Sequence, residues 1–161
     1  MFYGGVPGAE PTFEDMRRRA PSLGVQLTFI EVPTVSGIDA ALTAMEKSRP
    51  DAIVAIHGAP LWEARVRLAD FVNRRRLPMI ATVATALVED AGALMSYAPD
   101  VVALMTRPAA YVDRILKGAK PADLPIEKPT KYEFVINMKN AKALDITIPR
   151  SLLLRANRVI E

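Results

Sequence analysis

The stretch Tyr111–Arg155 reads YVDRILKGAKPADLPIEKPTKYEFVINMKNAKALDITIPRSLLLR. It begins inside a helical pattern predicted over Val101–Lys117, which Gly118 is expected to end. Three prolines spaced four residues apart follow, and then a run of aromatic and β-branched residues, Tyr132–Ile136, predicts a strand. Proline fixes its own φ and pushes the preceding residue towards extended conformations, so the proline-rich part is predicted to be a stiff crossing segment. These prolines are Pro121, Pro125 and Pro129.

Upstream, as far as about Asp90, short apolar runs alternate with helical patterns. Strands separated by helices of this length indicate an α/β protein with a parallel sheet, right-handed crossovers and helices on both faces. The predicted strands are residues 1–3, 25–32, 51–57 and 77–82, with 94–97 extended. The predicted helices are residues 11–23, 36–47 with Ser36 as N-cap, 61–75, 85–91, 141–144 and 151–160.

Composition excludes several classes of protein. The 161 residues are 50% hydrophobic, enough for a core, and contain no apolar run of the roughly 18 residues that a membrane helix needs. With no cysteine, disulfides and thiolate chemistry are excluded, and one histidine cannot form a multi-histidine metal site. The net charge of +3 is weak evidence for nucleic acid, because the arginine clusters at 17–19 and 74–76 complement helix C-termini and lack interleaved aromatic residues.

The stretch quoted above, with Ser96–Asp100 before it, resembles the C-terminal signature of the periplasmic substrate-binding proteins of ABC importers, in the branch associated with tryptophan and tyrosine uptake. Departures from the family pattern are Ala98 and Asp145, where glycine is usual, and Arg150, where a second proline is common.

The resemblance implies two similar α/β lobes joined by three crossing strands, with the ligand in the cleft between them. On that plan the fold class is a three-layer parallel sheet with helices on both faces, one lobe of a type 1 periplasmic binding protein, plus a C-terminal crossing segment. Residues 1–93 are expected to form the lobe. Residues 94–161 are expected to supply the crossing segment, a helix orphaned from the absent first lobe, the return strand and C-terminal helices that pack on the lobe.

In open parallel sheets, ligands bind beyond the carboxyl ends of the strands, where helix N-termini and loops meet. This rule selects three places: residues 4–12, residues 57–60, and residues 81–85 with 96–97. The candidate ligand-binding residues are Gly5, Val6, Thr12, His57, Gly58, Ala59, Thr82, Thr85, Ser96 and Tyr97.

Each place also has a purely structural interpretation. Gly4–Gly8 is equally an ordinary strand-to-helix turn, and its glycine spacing is not that of a nucleotide-binding loop. A hydrogen-bonded structural side chain is the favoured interpretation of His57, and a helix cap is the favoured interpretation of Thr85. Trp62, just beyond the His57 loop, could line a cleft for an aromatic ligand, but a position in the core or at a lobe interface is favoured. No metal and no cofactor are predicted.

The leading functional hypothesis is a solute-binding component of an ABC-type uptake system. It would bind a small organic ligand, an aromatic amino acid by resemblance, without catalysis and with an ABC permease as partner. An enzyme is disfavoured because no nucleophile, base or metal-ligand constellation is present.

The alternative hypothesis is a truncated, self-associating interaction module that has lost ligand binding. It would form a homo-oligomer through residues 94–137, because the orphan helix carries an apolar stripe that needs a partner. The stripe consists of Val102, Met105, Ala109, Val112 and Leu116. The expected location is periplasmic by resemblance. Because the start lacks the pattern of a secretory signal, it is cytoplasmic if the chain is complete.

Overall fold

The computed structural model describes residues 2–3 (backbone only), 10–56, 58–82, 88 and 92–161. Within these residues seven strands form one sheet in the order β2-β1-β3-β4-β5-β6-β7. The strands are β1 Phe2–Tyr3, β2 Ile30–Glu31, β3 Ile53–Ile56, β4 Met79–Ala81, β5 Met95–Pro99, β6 Tyr132–Asn137 and β7 Arg158–Ile160. The helices are α1 Glu10–Arg19, α2 Ile38–Ser48, α3 Ala59–Glu63, α4 Arg65–Arg74, α5 Val101–Leu116, α6 Met138–Ala143 and α7 Arg150–Leu153.

The sheet is parallel from β2 through β5, after which β6 runs antiparallel to β5 and β7 runs parallel to β6. The predicted α/β class is therefore confirmed, with an antiparallel strand added where the chain returns. The strand β7 was missed, because residues 151–160 were predicted to be helical. Helix α7 ends at Leu153, and Arg158–Ile160 instead pairs with the otherwise open edge of β6.

One face of the sheet carries the main core. Ile53 and Ala55 on β3 and Met79 and Ala81 on β4 are buried beneath α2, α3 and α4. These helices bury the apolar positions of their amphipathic patterns, and the residues that pack here are Ile38, Ala41, Met45, Leu61, Leu68, Ala69 and Val72. A second, smaller core lies on the opposite face around Ile136 of β6, where Ala141 of α6 and Ile148 cover it. Helices thus cover both faces, as a three-layer sandwich requires.

Several predicted boundaries shift for local reasons. The predicted strand 25–32 shortens to Ile30–Glu31, which pairs in register with Phe2–Tyr3 of β1. Ser36 does not cap α2: a 3-10 turn over Val35–Gly37 precedes the helix, and the Ser36 hydroxyl lies 3.1 Å from that of Thr34. The predicted helix 61–75 is two helices separated at Ala64. Of the predicted helix 85–91, only Val88 is among the described residues, and it is helical.

The excursion between β5 and β6, residues 100–131, is here called the arm. It starts where the Asp100 carboxylate accepts a 2.9 Å bond from the Ala103 N–H and so caps α5. It is closed at its base by the Asp100 N–H, which donates to the Lys131 carbonyl at 3.0 Å. Lys120 and Leu124 each precede a proline. Their ψ angles of 135° and 137° are extended, as expected for a residue before proline.

Candidate functional site

The strand order creates one crevice at the carboxyl edge of the sheet. Strand β1 lies between β2 and β3, so the connection from β1 to β2 and the connection from β3 to β4 run towards opposite edges of the sheet. Tyr3 of β1 and Ile56 of β3 are paired in register. Gly5, Val6 and His57 themselves lie outside the described residues.

At the end of β3, Gly58 joins the sheet to α3. Its backbone is extended, with φ −160° and ψ 156°, and its carbonyl accepts hydrogen bonds from Leu61 N (3.0 Å) and Trp62 N (3.1 Å). Gly58 is half-buried and Ala59 is exposed. The Arg65 guanidinium lies over the Trp62 ring at 4.8 Å, a cation–π contact that gives the half-buried indole a structural role.

At the end of β4, Thr82 is turned towards the sheet backbone. Its N–H donates to the Ala55 carbonyl at 3.1 Å, and its hydroxyl lies 3.4 Å from the same oxygen. Thr82 therefore extends the β3–β4 ladder by one residue beyond Ala81. Because the hydroxyl bond is long, a ligand can compete for this group. Thr85, the other threonine of this loop, lies outside the described residues.

The two candidates on β5 point to opposite faces of the sheet, because side chains alternate along a strand. Ser96 is fully buried in the row formed by Ala81, Ser96 and Val135, and its hydroxyl has no hydrogen-bond partner among the residues that the structure describes. Tyr97 is 56% exposed on the other face. The structure therefore does not bring these two neighbours to one surface, and of the pair only Tyr97 is accessible to a ligand.

Tyr97 belongs to an aromatic cluster that sequence reasoning did not identify. Its ring stacks on Tyr132 with centroids 5.5 Å apart and planes 13° from parallel, and Phe134 meets it edge-on at 6.2 Å. The antiparallel pairing of β5 with β6 produces this contact across the 32 residues of the arm. The exposed tyrosines form a flat platform suited to another planar ring. The sequence does contain one indication of this cluster, because each of the two predicted crossing strands carries a tyrosine.

Thr12 lies on α1, where it is exposed while the next residue, Phe13, is buried. Gly58, Thr82 and Tyr97 thus lie at or just beyond the ends of β3 and β4 and within β5, which are three neighbouring strands, and unlike Ser96 they are not fully buried. In the described part of the chain, no group of three or more His, Cys, Asp or Glu side chains could hold a metal ion. The same residues contain no helix of the length and hydrophobicity needed to cross a bilayer.

Two surface cavities lie elsewhere in the described part of the chain. One of about 200 Å³ separates α5 from the end of the arm and is lined by Asp100, Arg107, Thr130 and Lys131, among others. Another of about 140 Å³ lies between α2 and α4, near Glu46 and Arg75. Neither includes a candidate ligand residue.

The strand order and the crevice between β1 and β3 place the chain among doubly wound α/β proteins. The chain belongs to the family of ABC transporter substrate binding proteins, whose family model matches residues 3–160. No curated protein matches it in sequence.

Two solved structures share its fold at appreciable identity. One is an ABC domain from Streptococcus pneumonia in complex with L-Trp, 29% identical with a TM-score of 0.85, where the match covers 99% of this chain and 55% of that one. The other is a conserved domain protein from Vibrio cholerae, 27% identical with a TM-score of 0.85 and coverages of 98% and 53%. A ligand-free, open substrate binding protein with adhesive properties from Clostridium difficile, 15% identical with a TM-score of 0.63, shares the fold over 99% of this chain and 54% of its own. The chain therefore spans about half the length of these relatives.

Proposed function

We propose that this chain forms one wall of a solute-binding site of an ABC-type uptake system, and that the site takes a small aromatic amino acid without chemical change. The observation that carries the proposal is that a relative with 29% identity and the same fold was solved with L-Trp. The Tyr97–Tyr132 platform at the carboxyl half of β5 supports it, because stacked, exposed rings offer a surface for an indole or phenyl group.

The second wall corresponds to the part of the relatives that this chain does not cover. By this proposal the ligand is held between the two walls, the closed form is recognised by a membrane permease, and the site of action is the periplasmic side of the membrane. One wall alone supplies only part of the contacts and leaves the ligand partly hydrated. We therefore expect weak binding by this chain, with a Kd on the order of 1 mM, about 4 kcal/mol.

Calorimetric titration with L-tryptophan, L-tyrosine and L-phenylalanine tests the proposal, with L-leucine as the non-aromatic comparison. We expect heat only with the aromatic set, and a loss of affinity of about fivefold in Tyr97→Ala, because stacking contributes roughly 1 kcal/mol. Tyr111→Ala, which removes a tyrosine of the arm, should leave the affinity unchanged. Equal responses to all four amino acids, or none at concentrations up to tens of millimolar, would contradict the proposal.

A second candidate function is self-association through residues 94–137. It is favoured by the exposure of α5, none of whose residues is buried. Val102, Met105 and Leu116 are 75%, 71% and 81% exposed, and Ile126 in the same arm is fully exposed. Soluble monomers rarely leave so many large apolar side chains uncovered on one element. Sedimentation velocity over a concentration series tests this function, and a monomer at every concentration would exclude it.

A further inference from the structure

We infer that Asn137 and Asn140, together with Gly92, fix the register of β5 and so place the Tyr97 ring on the exposed face of the sheet. They are positioning residues for the aromatic platform of Tyr97 and Tyr132, and they act through the register of the strand rather than through contact with a ligand. The inference rests on the proposed function for the use of that platform, whereas the register itself does not depend on ligand binding.

The side chains of β5 do not by themselves select which face of the strand is buried. Ser96 and Ala98 lie on the face of the main core and are buried, whereas Met95 and Tyr97 lie on the opposite face and are half-buried and exposed. The two residues turned away from the main core are therefore the larger and more apolar ones. Register is weakly specified where the hydrophobic pattern does not select a face, so the observed register needs another source.

A shift of one residue would remove the platform. In the observed register Tyr97 is opposite Phe134 and Pro99 is opposite Tyr132, which brings the two tyrosine rings together. Because successive side chains of a strand point to opposite faces, a shift of one residue exchanges the two faces of β5. Tyr97 would then enter the buried row now occupied by Ser96, and its ring would be lost to a ligand.

A relay of three hydrogen bonds ties β6 and α6 to the chain that leads into β5. The side-chain amide of Asn140 donates to the Gly92 carbonyl. The backbone N–H of Asn140 donates to the side-chain oxygen of Asn137 at 3.0 Å, and the amide nitrogen of Asn137 donates to the Val88 carbonyl at 3.0 Å. Asn137 is buried and Asn140 is half-buried, so these bonds are formed where water competes little.

The backbone at Gly92 turns the chain into β5 at a defined point. Its φ of 64° lies in the left-handed region that glycine enters freely, and a Cβ at this position would lie 2.8 Å from the Asn73 Oδ1 atom. Two residues later, the Leu94 N–H donates to the Met79 carbonyl at 2.8 Å, and the Leu94 carbonyl accepts from the Asn137 N–H at 2.9 Å. The position of β5 against both β4 and β6 is therefore set from this end of the strand.

Single cysteines report the register, because the chain contains no cysteine. The thiol reagent DTNB should react with Tyr97→Cys at least about a hundredfold faster than with Ser96→Cys, since residue 97 is exposed and residue 96 is fully buried. Adding Asn140→Asp should reduce this ratio at least about tenfold, because a carboxylate cannot donate to the Gly92 carbonyl. Asn140→Ala removes the donor without adding a charge. It should reduce the ratio in the same way, and it replaces the aspartate variant if that variant does not fold.

Two controls separate a change of register from a general loss of stability. Asn157→Asp should leave the ratio unchanged, because the Asn157 oxygen only accepts from the Phe134 N–H. Ala55→Cys is buried on β3 and reports the opening of the whole lobe. If Asn140→Asp accelerates the reaction of Ala55→Cys as much as that of Ser96→Cys, Asn140 only stabilises the fold and the inference is overturned. An unchanged ratio overturns it as well.

Calorimetry with L-tryptophan distinguishes this inference from the proposed function. We expect Asn140→Asp to lower the affinity about fivefold, as Tyr97→Ala does, and to lower it little further in a chain that already carries Tyr97→Ala, because both changes remove the same ring contact. An affinity that Asn140→Asp leaves unchanged overturns the inference. If the unaltered chain binds no aromatic amino acid, the proposed function fails, and the cysteine ratio still shows whether the two asparagines set the register.

Discussion

At the scale of single residues, a buried side chain that the sequence pattern did not identify connects two parts of the chain through hydrogen bonds. Asn137 is one of two buried polar residues among those described. Its carbonyl oxygen accepts from the Asn140 N–H at 3.0 Å and so caps α6, while its amide nitrogen donates to the Val88 carbonyl at 3.0 Å. One amide thus joins the return strand to the segment between β4 and β5, and both halves of the amide are used.

Asn137→Asp should therefore destabilise the chain by about 1–3 kcal/mol, because a carboxylate keeps the cap but cannot donate to the buried Val88 carbonyl. Urea denaturation at pH 7 measures the loss. Asn157→Asp is the matched control, since the Asn157 oxygen only accepts from the Phe134 N–H at 2.8 Å and an aspartate can do the same. A control loss below roughly 0.5 kcal/mol is expected. Equal losses in the two variants would show that the Val88 bond does not account for the effect.

Asp145 adopts a backbone conformation that glycine favours, at a position where the family pattern has glycine. Glycine is usual at this position by resemblance, and the structure places Asp145 in the left-handed region with φ 57°. Only glycine enters that region freely, although aspartate tolerates it better than most residues. The Asp145 carboxylate also accepts a hydrogen bond from the Arg76 guanidinium at 2.7 Å. Arg76 lies in the left-handed region too, with φ 53°. Both side chains are largely exposed, so this ion pair contributes little.

At the scale of elements, the sequence predicted the helices that are long enough to show a repeating apolar pattern. It did not predict which short strands pair. The buried faces of α2 and α4 follow from spacing alone, and β3 begins two residues after its predicted start. Strand β7 has three residues and no pattern of its own, so only the open edge of β6 explains it. Tyr132 was missed for a similar reason, because its contact with Tyr97 depends on strand pairing across the arm rather than on local sequence.

The arm provides an element-scale prediction about pH. The pKa of the Tyr111 phenol is raised above its ordinary value of 10.0. The largest cause is partial desolvation, and the next is the negative charge of the neighbouring Glu127 carboxylate. A group whose pKa is raised by folding stabilises the folded form at pH values below 10 and loses that contribution as the pH rises through the raised pKa. The hydrogen bond from Tyr111 to the Pro125 carbonyl should therefore persist at neutral pH and break only in strongly alkaline solution.

Absorbance titration at 295 nm follows the ionisation of the phenols. The difference between the curves of the unaltered chain and of Tyr111→Phe should be a component that ionises above pH 10. If the component lost ionises at or below pH 10, the phenol of Tyr111 is not held as the structure shows it.

At the scale of the whole molecule, the chain consists of a lobe with its own cores and an arm that adds nothing to them. Among the described residues, neither hydrophobic core includes a residue of the arm. The strands on either side of the arm form an unbroken antiparallel ladder from Met95 with Ile136 to Pro99 with Tyr132. Asp100 and Lys131 extend that ladder by one bond. The lobe therefore needs the two ends of the arm joined but does not need the arm itself.

Replacing residues 101–130 by Asn-Gly should yield a folded lobe, because a two-residue turn of this type is the preferred connection between antiparallel strands. We expect its thermal midpoint to lie within a few degrees of that of the full chain measured at a concentration where self-association is negligible. We also expect the shortened chain to stay monomeric at concentrations where the full chain associates. Circular dichroism and sedimentation velocity measure the two outcomes. A shortened chain that fails to fold would mean that α5 stabilises the lobe after all, and one that still associates would move the contact surface away from the arm.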